Sequence, residues 1–139
     1  MDKETISLEN KDETKKFAAE FAKKLKQGDV VELAGDLGSG KTFFVRSLSE
    51  ALGAEGVSSP SFVIKNKYEG TEFPIIHFDF YRLDNPKTVN EELKEDLLNR
   101  DSLIIIEWAD SVKGVLPDDR YKIHFKVTGN NSRELTIYK

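Results

Sequence analysis

Residues 30–52 read VVELAGDLGSGKTFFVRSLSEAL, and this stretch decides the fold. Val30-Val31-Glu32-Leu33-Ala34 is a short apolar run and predicts a strand. Further on, Phe44, Val45, Leu48, Ala51 and Leu52 recur at helical spacing, and Gly53 fits the position just past a helix end. Between strand and helix, Gly35-Asp36-Leu37-Gly38-Ser39-Gly40-Lys41-Thr42 fits the pattern G-x-x-x-x-G-K-[ST] of a phosphate-binding loop. Glycines let the backbone bend and leave room for phosphate. The successive N–H groups of residues 36–42 can then face an anion at a helix N-terminus. Lys41 would set a compact positive charge on the outer phosphates, and the Thr42 hydroxyl is a hard oxygen suited to Mg²⁺.

Outward from this unit, Asn10 and Asp12 can cap a helix whose Phe17, Phe21 and Leu25 form one apolar stripe. Residues 62–68 and 74–81 predict an antiparallel hairpin around Glu69-Gly70-Thr71. Val89, Leu93, Leu97 and Leu98 predict a helix over 88–99. Leu103 to Glu107 predicts a buried strand, and residues 121–127 and 134–138 a last hairpin. The expected class is α/β, a P-loop NTPase-like three-layer fold with a mixed parallel and antiparallel central sheet. At 139 residues it is expected to be one domain over 1–139.

Composition narrows the function. Twenty-one basic and 25 acidic residues leave a net charge of −4, which argues against gripping nucleic acid with a global basic field. There is no cysteine, so thiol catalysis and thiolate metal sites are excluded. The longest apolar run is far short of the ~20 residues of a membrane helix, and the polar, acidic N-terminus does not read as a secretory signal. The expected setting is the cytoplasm.

Hydrolysis needs acids near the phosphates. Glu107 ends a buried strand at the edge where α/β sheets hold ligands, and reads as a metal ligand or a structural ion pair. His77, Asp79 and Tyr81 share one strand face by period two, which predicts a wet cleft or simply a half-exposed strand. His77 reads better as a hydrogen-bonded strand residue than as a base. Trp108 reads as core packing ahead of nucleotide stacking. On position alone, Ser58-Ser59-Pro60-Ser61 is a turn, and Arg82 an ion-pair residue. The sequence does not say which residues would recognise a nucleotide base; the regions around Thr14 and Arg133 are the places to look.

Four segments, GDLGSGKT (35–42), SSPSF (58–62), HFDFYRL (77–83) and EW (107–108), together resemble the TsaE family, and LPDDR (116–120) is similar to a further family segment. The resemblance covers roughly the whole chain. It implies ATP and Mg²⁺ as ligands, with Thr42 and Glu107 metal-associated, Asp79 the second acid and Lys41 on the phosphates. It further implies that Ser59, Pro60 and Ser61 form a switch-like loop and that Trp108 lies near the nucleotide. Its partners would be the TsaD–TsaB complex of tRNA threonylcarbamoyladenosine (t6A) synthesis, with tRNA met only through that complex and no membrane involved. Ser39, Phe43 and the serines at 58 and 61 depart from the usual family residues. Two other functions fit the loop: a small P-loop kinase, or a nucleotide-gated binding module without useful hydrolysis. The five arginines, at 46, 82, 100, 120 and 133, form no cluster in sequence of the kind a kinase lid uses.

Overall fold

A computed structural model describes residues 3–55, 65–81 and 86–139. In chain order the elements are β1 (Lys3–Leu8), α1 (Lys11–Ala22), β2 (Val30–Gly35), α2 (Lys41–Ala51), β3 (Lys65–Glu69), β4 (Pro74–Asp79), α3 (Pro86–Asn99), β5 (Leu103–Glu107), β6 (Tyr121–Val127) and β7 (Arg133–Tyr138). Two single 3₁₀ turns, Ala109–Ser111 and Lys113–Val115, follow β5.

The strands form one sheet in the order β1-β7-β6-β2-β5-β4-β3. Its centre, β6-β2-β5-β4, is parallel. The pairs β1-β7, β6-β7 and β3-β4 are antiparallel. The sheet is therefore mixed, as expected.

Strand alternation sorts the core into two layers. Val31, Leu33, Ile75, Leu103, Ile105, Ile123 and Phe125 pack on one face with Phe21 of α1 and Phe44, Val45 and Leu48 of α2. Val30, Ile76, Phe78, Ile104 and Ile106 pack on the other with Leu93 of α3 and with Ala109, Val112 and Leu116. Helices thus cover both faces, giving three layers.

The local chemistry explains the ends. Asn10 caps α1 by accepting from the Glu13 N–H at 2.9 Å, while the Glu13 side chain accepts from the N–H of Glu9, the residue before the cap, at 3.1 Å. The helix stops at Ala22, earlier than the apolar stripe suggests, and Leu25 is buried from the segment beyond it. Gly53 closes α2 in a left-handed conformation. In α3, Leu93 is fully buried but Leu98 is 82% exposed. Leu93 and Leu97 lie four residues apart on the inner stripe, and Leu98 is turned about 100° away from it. β4 ends at Asp79, so Tyr81 lies beyond the strand.

Candidate functional site

The parallel strands β2, β5 and β4 all end at one edge of the sheet. Gly35 ends β2, Glu107 ends β5 and Asp79 ends β4. Register places Leu33 beside Glu107, and Glu107 beside Asp79. The loop after β2 then crosses to the α1/α2 face, the same face that carries His77, Asp79 and Glu107.

The loop is built for close approach. A Cβ on Gly35 would lie 2.7 Å from the Phe125 carbonyl oxygen of neighbouring β6, so any side chain there would force the strands apart. Gly40 is the N-cap of α2 in a left-handed conformation (φ 104°), with no side-chain cap and no acid in the first turn. The first N–H groups of α2 therefore have no acidic or side-chain competitor. The Ser39 N–H is spent inside the loop on the Asp36 carbonyl, 3.1 Å away. The loop is tied to the last hairpin by Arg133, whose Nε donates to the Ser39 carbonyl at 2.9 Å.

Lys41 is buried, and its ammonium donates to the Gly35 carbonyl at 2.5 Å. It also lies 3.6 Å from the centroid of the Trp108 ring. Burial lowers its pKa below the ordinary value, and Glu107, Asp79, Asp36 and Asp110 oppose that with negative potential. Trp108 itself is held in a left-handed backbone conformation (φ 57°) and packs against Tyr81, ring centroids 4.9 Å apart. Its part-buried ring packs against the core layer under α3, as expected, and also borders the loop. Thr42 is exposed at the start of α2. Leu37, at the loop, is also exposed.

The polar row on β4 is graded. His77 is 1% exposed and bonds Glu107, Nε2 to Oε2, at 2.6 Å; Glu107 is 2% exposed. Asp79 is half-buried and accepts from the Tyr81 N–H at 3.1 Å. Tyr81 is exposed. The row therefore opens to solvent only from Asp79 on, and His77 lies in the dry interior below it. Burial pushes the Asp79 carboxyl above the usual carboxylate range, and Glu107 adds to this. The Tyr81 N–H, His77 and Lys41 pull the other way.

Beside the loop is a cleft of about 260 Å³, a little under the ~300 Å³ at which small-molecule sites begin. Lys11, Thr14, Ser39, Phe43, Asn130 and Arg133 are among its walls. Of these walls, Thr14 and Arg133 were singled out in the sequence as places to look for a base contact. Phe43, Lys11 and Asn130 were not, although Lys11 lies 5.4 Å over the Phe43 ring. Ser59, Pro60, Ser61 and Arg82 lie outside the described residues.

No described group of three or more acids and histidines could hold a metal by itself. Among the described residues, no helix is long and apolar enough to cross a membrane.

The fold and this edge define an α/β protein with a glycine-rich loop between a central parallel strand and a helix, flanked by two acids from the adjoining strands. Residues 8–135 match the sequence model of the family described as threonylcarbamoyl adenosine biosynthesis protein TsaE. The protein named tRNA threonylcarbamoyladenosine biosynthesis protein TsaE in Rickettsia prowazekii is 39% identical over 135 residues, covering 96% of this chain and 93% of that one. The protein of the same name in Bacillus subtilis is 36% identical over 130 residues, covering 92% and 80%. The crystal structure of YdiB from Bacillus subtilis superposes with a TM-score of 0.77 at 31% identity, covering 98% of this chain and 84% of that one. The chain belongs to the TsaE family.

Proposed function

We propose that this protein is a Mg²⁺-dependent ATPase of low intrinsic rate that serves t6A synthesis in the cytoplasm. It acts on a complex of TsaD and TsaB, supports that complex's turnover, and meets tRNA only through it. Residues 1–139 act as one domain. The observation that carries this reading is the convergence of three strand ends at one sheet edge: Gly35 with the loop after it, Asp79 and Glu107.

Each residue then has a role. The N–H groups of Asp36, Leu37, Gly38, Gly40, Lys41 and Thr42 are the donors available to the phosphates, with Ser39 closing the bend. Lys41 leaves the Gly35 carbonyl for a phosphate oxygen, and because its ammonium is largely desolvated its charge acts strongly at short range. The base enters the cleft beside Thr14, Phe43 and Arg133. Trp108 borders the phosphates, and the family resemblance assigns Ser61, outside the described residues, to the switch-like loop.

The residues fit Mg²⁺. This ion keeps several waters and takes one or two protein oxygens plus phosphate, so a sparse donor set is what it requires. Thr42 and Glu107 supply a hydroxyl and a carboxylate and would hold it. When bound, Mg²⁺ neutralises charge that builds on the phosphate oxygens. Asp79 orients the attacking water: a carboxylate with a raised pKa is a stronger hydrogen-bond acceptor when ionised.

Single-turnover hydrolysis with purified TsaD and TsaB tests the reading. The rate should rise on adding both proteins, and Lys41→Ala should lose it. Labelled ATP bound by Lys41→Ala as tightly as by the native chain would remove the loop from the account, and label arriving on a metabolite would make the protein a kinase.

A further inference from the structure

Glu107 and His77 come from neighbouring parallel strands. Asp79 is Glu107's register partner, and His77 lies two residues earlier on the same face. His77 therefore reaches diagonally to the end of β5. The contact is 2.6 Å, short even for a charge-assisted hydrogen bond, and both side chains are out of water. A carboxylate turns broadly about its last torsion. Holding Oε2 toward β4 stops that rotation and leaves Oε1 as the oxygen outside the bond.

The same chain shows how it treats a buried glutamate that needs only neutralising. Glu32, equally buried, is paired with Arg120, a permanent cation, at 3.0 Å. Glu107 has an imidazole instead, which donates an N–H without having to carry a charge. Its carboxylate is held through Oε2.

We propose that His77 is the positioning residue for Glu107, holding Oε2 so that Oε1 faces the cation beside Thr42. This rests on the reading of Glu107 as metal-associated. His77 touches neither nucleotide nor metal. Partners that orient a ligating carboxylate typically govern metal affinity by about 10–100-fold.

The test uses Mn²⁺ as a paramagnetic probe, titrated into the full chain loaded with a non-hydrolysable ATP analogue. Metal-free affinity for that analogue and thermal unfolding are measured alongside. His77→Leu should weaken Mn²⁺ binding by about 10–100-fold while metal-free nucleotide affinity holds. His77→Gln, which keeps an N–H donor in nearly the same place, should restore most of the loss. Should His77→Leu not fold, His77→Asn, whose amide is too short to reach the carboxylate, takes its place with the same expected loss. Unchanged Mn²⁺ affinity in the Leu or Asn variant overturns the proposal. So does a parallel loss of nucleotide and metal, which marks a purely structural pair, or a Gln variant as weak as Leu. If the native chain itself binds no Mn²⁺ with nucleotide present, the metal role of Glu107 fails and the proposal falls with it. The native chain, not the variant, then gives the negative.

Discussion

Two glutamates stand at the same depth in the sheet and are held by different partners. Glu32 on β2 and Glu107 on β5 are each 2% exposed, on adjacent strands and opposite faces. Glu32 lies on the α3 face with Arg120, which also donates to the Pro117 carbonyl at 2.8 Å and so ties the segment before β6 to β2. Glu107 lies on the α2 face with His77, near a lysine committed to Gly35 and Trp108. The difference teaches that burial alone does not mark a functional acid. A carboxylate closed by a fixed cation is a clamp. One held by an imidazole through Oε2 keeps Oε1 outside that bond.

The largest expected effect breaks the clamp. Arg120→Ala strands Glu32 in the interior and should cost about 3–5 kcal/mol in denaturant unfolding, the usual loss when one member of a buried pair is removed. A loss under about 1 kcal/mol would make the pair a surface-like contact and void the contrast. Next comes Glu107→Gln. Its amide keeps an oxygen for the His77 N–H, so stability should change by less than about 1 kcal/mol, while single-turnover hydrolysis should fall on the order of 10²-fold. Equal and large losses in both would turn Glu107 into a second clamp.

The smallest effect sharpens the comparison through Asp79. Its folded pKa is raised, so the native state holds the proton more tightly than the unfolded chain. The sign follows: stability falls as pH rises from the ordinary Asp value through the raised one, and the penalty is full above it. Asp79→Asn keeps the acceptor for the Tyr81 N–H. It should therefore raise the melting temperature by a few degrees at neutral pH and by progressively less toward pH 4, while hydrolysis drops. A gain that persisted unchanged at low pH would place its origin elsewhere than in the carboxylate's charge.

Much of this was legible because it is local. The turn from period two to helical spacing around Gly35–Thr42 announces β2, the loop and α2, and Glu107 stands out as an acid ending an apolar run. Leu98 misled because one extra leucine beside Leu97 looks like stripe when only one of the two can face inward. What could not be read depends on strand order. Nothing local says that β4 lies beside β5, so the His77–Glu107 bond, 30 residues apart, was hidden. The clamp from Arg120 to Glu32 spans 88 residues and was hidden for the same reason. The cleft draws on α1, α2 and the final hairpin at once, and Asn130 read as nothing more than a turn residue.

Trp108 is the chain's one tryptophan. Its indole has the Lys41 ammonium against one side. The protein therefore carries a native optical gauge: any displacement of that ammonium alters the field at a single chromophore, and emission from the unlabelled chain follows the loop in real time.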